Sequence, residues 1–333
     1  NYGVRDVLGI RYGQQGLNPA AGLDPVPLTW EIVDPIHQQG GTILGSSRGS
    51  QPVPVMVETL RNLGVHILLT VGGDGTQRGA LAIAEEARKQ DYPIAVVGVP
   101  KTIDNDIQYV RRTFGFTTAV DKAREVLTCA HVEAQAYPNG VVIVRLMGRD
   151  SGFIAAAAAL ASQEVNLVLV PEVPFTLEGE NGLFNTLKKR LARKRHAVIA
   201  VAEGAGQDLL SAESREKDVS GNILHNDIGV YLRDRIAAHF KQERFEISLK
   251  YIDPSYIIRS VPANSEDAVL CDQFARHAVH AAMAGKTGMV IGLWNDFIHV
   301  PTALATAKRR TIEPDSLLWS SVLSATGQPA RLI

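Results

Sequence analysis

The sequence predicts an α/β fold of two lobes, each built around a mainly parallel sheet. Short β-branched runs alternate with longer helical patterns along the chain, which is the pattern of βαβ units. The chain has 333 residues, which is more than one ordinary compact core accommodates, so the length by itself predicts two lobes or one large α/β unit. Of these residues, 45% are hydrophobic, a fraction that is typical of globular proteins and argues against a disordered chain.

The strand–helix alternation starts with Val65–Gly73, a continuously apolar run closed by a glycine pair, which indicates a buried strand. Gln77–Gln90 follows as an amphipathic helix. Further strands are predicted at Pro93–Pro100, Val141–Met147, Asn166–Pro171, His196–Glu203, Glu246–Ile252 and Met289–Leu293. Further helices are predicted at Thr117–Gln135, Ser151–Ser162, Glu180–Lys194, Asn226–Lys241 and Ser265–Ala284. The polar segment Leu209–Asn226 is expected to be an exposed loop.

The boundary between the two lobes is predicted within or after the Thr117–Gln135 helix, near Pro138-Asn139-Gly140. One lobe would comprise residues 1–137, with part of 265–310 returning to it. The other would comprise residues 138–264, with 311–333 packed on it. Because ligands bind at the carboxyl ends of the strands in open parallel sheets, we expect the functional residues in the loops that follow the strands.

Charge and cysteine content exclude several classes of protein. The formal net charge is −1, so the chain has no overall attraction for nucleic acid or anionic membranes, and an anionic ligand must be bound by local groups. The two cysteines, Cys129 and Cys271, are far apart in sequence, which argues against a disulfide framework or a zinc site and fits a reducing, cytoplasmic compartment. No apolar run reaches membrane-spanning length, and the sequence shows no signal-peptide pattern.

The first candidate loop is Gly72-Gly73-Asp74-Gly75-Thr76, between a predicted strand and a predicted helix. Glycines let an anion approach the backbone closely, and the first turn of the helix offers free N–H groups to phosphate. The carboxylate of Asp74 beside phosphates suits a magnesium ion. The alternative interpretation is a tight turn in which Thr76 caps the helix. The same five residues resemble the loop of NAD kinases and diacylglycerol kinases, so the loop leaves the substrate open.

The second candidate loop is Pro100–Asp106, after the next strand. It brings two carboxylates, an amide, a hydroxyl and an ammonium group into one short segment. Phosphoryl transfer to an alcohol needs a base near the hydroxyl and a cation near the transferred charge. One of Asp104 and Asp106 could act as the base while the other binds Mg²⁺, and Lys101 could neutralise the phosphoryl oxygens. The alternative is a solvated loop whose Asp and Asn side chains bond to their own backbone.

Six motifs in sequence order resemble those of the phosphofructokinase family, and the resemblance covers nearly the whole chain. It implies the phosphofructokinase fold, with two Rossmann-like lobes, and transfer of the γ-phosphoryl group of ATP to fructose 6-phosphate. The sequences of these motifs are most similar to those of the ATP-dependent group of plants, trypanosomatids and some bacteria. The motifs are Gly72–Thr76, Pro100–Asp106, Phe114–Lys122, Leu146–Gly152, Ala202–Gly206 and Ile252–Ala263.

The resemblance implies roles for individual side chains. Asp104 would be the general base, with Lys101 and Thr102 as further catalytic residues, and Asp74 and Asp106 would bind Mg²⁺. The residues implied to hold fructose 6-phosphate are Thr102, Asp104, Met147, Gly148, Arg149, Glu203, Tyr256 and Arg259. The residues implied to line the nucleotide site are Tyr12, Arg48, Gly49, Asp74, Gly75, Thr76 and Gly79.

The same resemblance assigns the lobe of residues 1–137 to the nucleotide and the lobe of residues 138–264 to the sugar phosphate. It also implies a homo-oligomer, either a dimer or a tetramer. Members of the family begin with a strand and a Gly-Gly loop that cradles the donor phosphates. We expect the present sequence, in which that element would precede Tyr2, to lack it. A regulatory subunit that binds sugar phosphate without catalysis is therefore one alternative.

The phosphoryl donor depends on two positions. Family members that use pyrophosphate carry an aspartate where this chain has Gly75, and a carboxylate there would crowd and repel the α-phosphate of ATP. Lys101 resembles the lysine of the pyrophosphate users and therefore favours pyrophosphate as the donor. The plant and trypanosomatid group combines this glycine with this lysine, so we expect ATP, with pyrophosphate as the alternative.

Overall fold

The computed structural model describes residues 2–210 and 226–333. These residues form two compact units: the first consists of residues 2–117 and 260–309, and the second of residues 118–210, 226–259 and 310–333. The predicted loop Leu209–Asn226 lies, apart from its ends, outside the described residues. No helix in the described part of the chain is long and apolar enough to cross a membrane.

The elements follow one another in a regular alternation after a short N-terminal segment of 3₁₀ turns and a two-stranded ribbon. The strands are β1 (Leu8–Gly9), β2 (Val26–Pro27), β3 (Ile67–Gly72), β4 (Ala95–Pro100), β5 (Gly140–Leu146), β6 (Leu167–Leu169), β7 (His196–Ala202), β8 (Ser248–Ile252), β9 (Met289–Leu293) and β10 (Phe297–Pro301). The α-helices are α1 (Trp30–Val33), α2 (Val53–Asn62), α3 (Asp74–Lys89), α4 (Phe116–Gln135), α5 (Phe153–Ser162), α6 (Leu183–Lys194), α7 (Ile228–Gln242), α8 (Ser255–Arg259), α9 (Ser265–Met283), α10 (Thr302–Ala305) and α11 (Leu317–Thr326).

The main sheet of the first unit has four strands in the order β10-β9-β4-β3. Strands β3, β4 and β9 are parallel, and β10 pairs antiparallel with β9. Helix α9 packs its apolar residues, including Leu270 and Phe274, against β4 and β9. Helices α2 and α3 form a second core around Met56 and Ile83. The predicted strands and helices of this unit are observed. The prediction that the first of these strands is buried is wrong, because β3 is the edge strand of the sheet and Val71 in it is 56% exposed.

The sheet of the second unit also has four strands, in the order β6-β7-β5-β8, and all of them are parallel. Helices α6 and α7 cover one face, with Leu187, Leu191, Ile236 and Phe240 fully buried. The predicted α/β class with mainly parallel sheets is therefore confirmed. In both units the carboxyl ends of neighbouring strands lie level, which brings the loops that follow them to one edge of each sheet.

Candidate active site

The two loops predicted to carry the chemistry of the first unit touch each other. Gly72 at the end of β3 lies in register with Pro100 at the end of β4. The Lys101 N–H donates a hydrogen bond to the Gly72 carbonyl over 3.1 Å. A Cβ atom placed on Gly73 would lie 3.4 Å from Cβ of Thr102. The glycine loop and the acidic loop therefore form one surface at the edge of the sheet.

A buried glutamine joins the ends of the two strands. Gln77 is inaccessible to solvent, and its Nε2 donates to the carbonyls of Gly72 and Val99 over 2.9 and 3.0 Å. Its Oε1 lies against the backbone of Gly98, where a Cβ atom would approach it to 2.0 Å. Sequence reasoning missed this residue, since a glutamine on a helix gives no sign of what it contacts.

Helix α3 begins in the glycine loop itself. Its N-cap is Gly73, which provides no side-chain hydrogen bond, and Asp74 lies in the first turn. The helix therefore starts three residues before the predicted Gln77, and the alternative in which Thr76 is the cap is not what the structure shows. The first N–H groups of an α-helix have no intrahelical acceptor and favour anions. A Cβ atom on Gly75 would meet no atom within 4 Å, so this turn is open on that side.

Two carboxylates from the two loops lie beside one guanidinium group. Oδ2 of Asp74 is 3.8 Å from Nε of Arg309, and Oδ2 of Asp106 is 4.0 Å from the same atom. Asp74 also pairs with Nε of Arg78 over 3.0 Å, within the first turns of α3. Arg309 is held on the acidic loop by a β-bridge with Ile107. Sequence reasoning missed Arg309, which lies far along the chain from both aspartates.

Asp106 is the more buried of the two acids. Its side chain is buried, and its Oδ1 has no hydrogen-bond partner among the described residues. Burial raises the pKa of Asp106, the neighbouring Asp74 charge raises it further, and Arg309 opposes both. An unpartnered buried carboxylate oxygen costs free energy unless a ligand binds it. In the described part of the chain, no group of three His, Cys, Asp or Glu residues could hold a metal ion alone.

The conformation of the acidic loop is fixed by Asn105. This residue adopts a left-handed conformation (φ 55°) and is buried. Its Nδ2 donates to the Arg111 carbonyl over 3.2 Å, and its Oδ1 accepts the Thr113 N–H over 2.9 Å. The Asp104 N–H donates to Oγ1 of Thr102 over 3.1 Å. Asp104 is half-buried on a loop that these hydrogen bonds hold in place, while Lys101 is exposed.

The remaining predicted nucleotide residues lie elsewhere in the first unit. Tyr12 adopts a left-handed conformation (φ 52°), and its ring packs on Gly45, where a Cβ atom would lie 2.7 Å away. Arg48 is exposed beside Gly49, which has a positive φ of 93°. Gly79 lies in α3 against the side chain of Gln14, where a Cβ atom would lie 1.6 Å from Nε2 of that glutamine. Their roles at a nucleotide stay predictions.

In the second unit, the loops after β5 and β7 are hydrogen-bonded to each other. The Glu203 N–H donates to the Leu146 carbonyl over 2.9 Å, and the Gly204 N–H donates to the Gly148 carbonyl over 3.2 Å. A Cβ atom on Gly204 would lie 1.8 Å from the carbonyl oxygen of Arg149, so only glycine fits this approach. The structure thus brings together the predicted sugar-phosphate residues Met147, Gly148, Arg149 and Glu203.

Helix α5 starts two residues later than predicted, at Phe153 with Gly152 as its N-cap. The Gly152 N–H donates to both carboxylate oxygens of Glu172 over 3.0 and 3.1 Å. Glu172 also accepts the Ile312 N–H over 2.9 Å. Burial raises the pKa of Glu172, while these backbone donors lower it. Sequence reasoning missed this carboxylate, which fixes the segment that follows Arg149.

Tyr256 and Arg259 lie together on the short helix α8. Tyr256 is 79% exposed, and the guanidinium carbon of Arg259 lies 5.7 Å from the centre of its ring. The side chain of Tyr256 therefore does not pack in a hydrophobic core. The role of Tyr256 and Arg259 in holding fructose 6-phosphate stays a prediction.

Comparison with known proteins gives the family. A family model described as Phosphofructokinase matches residues 1–282. The chain is 48% identical to the ATP-dependent 6-phosphofructokinase of Borreliella burgdorferi over 338 residues, which span 99% of this chain and 76% of that relative. It is 46% identical to ATP-dependent 6-phosphofructokinase 7 of Arabidopsis thaliana, over 99% of this chain and 68% of the relative. It is 47% identical to the ATP-dependent 6-phosphofructokinase of Trypanosoma brucei brucei, over 99% and 69% of the two chains.

Among solved structures, the pyrophosphate-dependent phosphofructokinase of Marinobacter aquaeolei matches with a TM-score of 0.78 and 20% sequence identity, over 97% of this chain and 82% of that one. At this identity the likeness shows the fold alone, and it confirms the predicted phosphofructokinase fold. The predicted resemblance to plant and trypanosomatid proteins is confirmed by the relatives above. With the family model covering most of its length and these relatives nearly all of it, the chain belongs to the phosphofructokinase family.

Proposed function

We propose that this chain transfers the γ-phosphoryl group of ATP to the 1-hydroxyl of fructose 6-phosphate and forms fructose 1,6-bisphosphate. The observation that carries the proposal is the joined pair of loops at the ends of β3 and β4. One loop offers helix N–H groups to phosphate, and the other presents Asp104 on a rigid backbone. The relatives that share nearly the whole chain are named as ATP-dependent 6-phosphofructokinases.

Asp74 and Asp106 would hold Mg²⁺ with the ATP phosphates. Mg²⁺ is usually bound by one or two carboxylates together with phosphate oxygens and water, rather than by a cage of protein ligands. The unpartnered Oδ1 of Asp106 and the absence of a three-residue metal cluster among the described residues both fit this arrangement. When bound, the ion would neutralise charge on the donor phosphates. The half-buried Arg309 would balance part of the carboxylate charge.

Asp104 would accept the proton of the sugar 1-hydroxyl as the oxygen attacks phosphorus. Asp104 is a half-buried residue of the acidic loop. The exposed ammonium of Lys101 would stabilise negative charge on the transferred phosphoryl oxygens, and the hydroxyl of Thr102 would orient either the sugar or that group. Together these residues would provide base, charge stabilisation and orientation from one loop.

The sugar phosphate would be held by residues of the second unit. Glu203 can accept hydrogen bonds from sugar hydroxyls, and the guanidinium groups of Arg149 and Arg259 match phosphate in shape and charge. Met147, Gly148 and Tyr256 complete the proposed set. On this basis residues 1–137 with part of 265–310 would serve the nucleotide, and residues 138–264 with 311–333 the sugar phosphate.

We further propose a homo-oligomer, either a dimer or a tetramer, acting in glycolysis in the cytoplasm. This proposal depends on family membership. Light scattering coupled to size-exclusion chromatography would measure the assembly, and a purely monomeric protein at assay concentration would contradict it.

The experiment that tests the function is a coupled assay with fructose 6-phosphate, MgATP and Mg-pyrophosphate side by side. We expect turnover with ATP, and a loss of about two to four orders of magnitude in Asp104→Ala with binding of fructose 6-phosphate kept. Turnover only with pyrophosphate would contradict the choice of donor. Binding of the sugar phosphate with neither nucleotide binding nor turnover would identify a regulatory subunit instead.

A further inference from the structure

One guanidinium group in the second unit lies within ion-pair distance of three carboxylates, which belong to three separate segments of the chain. Arg145 is near the carboxyl end of β5, and its side chain is 18% exposed. Its Nη1 lies 2.6 Å from Asp253, its Nη2 lies 3.2 Å from Glu203, and its Nε lies 3.8 Å from Asp227. Asp253 follows β8, Glu203 follows β7, and Asp227 is the N-cap of α7.

The three carboxylates do not depend on Arg145 equally. Asp227 also accepts the N–H groups of Gly229 and Val230 as a helix cap, and it accepts the hydroxyl of Tyr251 over 3.0 Å. Asp253 also accepts hydrogen bonds from the N–H and hydroxyl of Ser255. These two aspartates are thereby fixed by other groups and can anchor the guanidinium.

Glu203 differs from both aspartates. Within the described residues, its carboxylate has Arg145 as its hydrogen-bonding partner, through Oε2. The backbone of Glu203 is fixed by the bond to Leu146, but a glutamate side chain has three rotatable bonds, and in the described part of the chain the Arg145 guanidinium provides the hydrogen bond that orients its carboxylate. Charge-assisted bonds to a planar guanidinium are short and directional.

We propose that Arg145 is the positioning residue that holds Glu203 in the orientation that binds the sugar. Nη2 would fix Oε2, so that Oε1 accepts a sugar hydroxyl, while Asp227 and Asp253 hold the guanidinium from its other sides. This proposal rests on the proposed function, since that function places fructose 6-phosphate at Glu203. Arg145 itself contacts no substrate in this proposal, so its effect must pass entirely through Glu203.

The test is a double-mutant cycle of Arg145→Lys and Glu203→Ala, read by calorimetric binding of fructose 6-phosphate and by KM and kcat. A lysine keeps the positive charge, but its single ammonium group lacks the planar fork of donors with which arginine contacts several carboxylates at once. We expect Arg145→Lys to weaken sugar-phosphate binding about tenfold to a hundredfold and to raise KM equally, with a smaller change in kcat. In the Glu203→Ala background, the same substitution should change binding less than about twofold.

A merely structural role of Arg145 would weaken binding equally in both backgrounds, and that result would overturn the proposal. Arg235→Lys is the matched control, because Arg235 pairs with Glu178 on the exposed surface of the same unit; it should leave binding unchanged. Wild-type binding in Glu203→Ala would also overturn the proposal without affecting the proposed function. Absence of turnover in the wild-type protein would instead overturn the proposed function.

If Arg145→Lys does not fold, as judged by its thermal transition, Asp253→Asn replaces it in the cycle. Asp253 binds the opposite arm of the same guanidinium, so its neutralisation loosens Arg145 without removing it. We expect a loss of binding of several-fold that disappears in the Glu203→Ala background. An equal loss in both backgrounds, or no loss in either, would overturn the proposal.

Discussion

Gly75 gives a sharp test of donor choice, because an aspartate there should stabilise the fold and impair ATP use at the same time. Gly75 is the second residue of α3, directly after Asp74. A Cβ atom at this position would meet nothing within 4 Å, and its φ is not in the left-handed region. The folded protein therefore accommodates a side chain at position 75 without rearrangement.

The expected gain in stability comes from two local effects of Gly75→Asp. Replacing glycine inside a helix gains roughly 0.3–0.5 kcal/mol in helix propensity. A carboxylate in the first turn gains about 0.3–1 kcal/mol from the helix dipole. Repulsion from the neighbouring Asp74 reduces the sum, so the free energy of unfolding should rise by roughly 0.5–1 kcal/mol, which corresponds to an increase in Tm of about 1 °C for a chain of this size.

The expected loss in ATP use comes from charge. A carboxylate about 5 Å from a phosphate, at an effective dielectric constant of about 20, repels it by about 3 kcal/mol. This energy corresponds to a loss of roughly two-hundredfold in kcat/KM for MgATP. Gly75→Ala and Gly75→Asn are the matched controls, since they add volume without charge and should lose much less.

The measurements for Gly75→Asp are a thermal melt and initial rates at varied MgATP with saturating fructose 6-phosphate. A variant that melts at or above the wild-type temperature with unchanged ATP kinetics would refute the reasoning. Equal losses in Gly75→Asn and Gly75→Asp would show that size, and not charge, decides. Rates with pyrophosphate, measured in parallel, show whether the aspartate transfers preference or only removes ATP use.

Three further predictions concern buried charges. Because burial raises the pKa of Asp106 in the folded protein, the ionised carboxylate destabilises the fold above the ordinary pKa of an aspartate. Asp106→Asn should therefore have a higher Tm than the wild type at pH 7.5, and the difference should shrink toward pH 4. An unchanged Tm at pH 7.5 would contradict this prediction. Arg309→Met leaves two carboxylates without their shared cation and should lower the free energy of unfolding, measured in urea, by about 1–2 kcal/mol. Arg78 is exposed, so Arg78→Met should lower it by less than about 0.5 kcal/mol, and equal losses would be evidence against a shared role of Arg309. Glu172→Ala leaves two backbone N–H groups without their acceptor and should lower the free energy of unfolding by about 1–3 kcal/mol in the same measurement. An unchanged free energy of unfolding would show that water replaces the carboxylate.

The strands could be predicted well from the sequence. Met289–Leu293 has the predicted bounds, and the predicted Val141–Met147 differs by one residue at each end from the observed Gly140–Leu146. Strands buried on both faces of a parallel sheet are uninterrupted apolar runs, and such runs leave little ambiguity. Strand β10 was not predicted, since Phe297–Pro301 is mixed in polarity and pairs antiparallel at the sheet edge.

The helix starts were predicted less well, and the reason is the glycine loops themselves. The first turn of α3 contains Asp74, Gly75 and Thr76. Helix propensities predict a turn at this position instead, because two neighbouring glycines precede these residues and no capping side chain is present. At α5, Gly152 is the cap, and it is fixed by Glu172 from a different loop. These starts are determined by tertiary contacts, which local sequence patterns do not contain.

The same distinction separates the site residues that were found from those that were missed. Asp104, Asp106 and Glu203 are detectable because they follow strands within compact motifs, and their chemistry is visible in their residue types. Arg309 and Arg145 are not, because each derives its role from carboxylates in distant segments. In both places one guanidinium is shared by more than one carboxylate, so neighbouring loops are held by the same charge. Since removing such a cation leaves like charges facing each other, a substitution far from every motif can disturb the residues that the motifs supply.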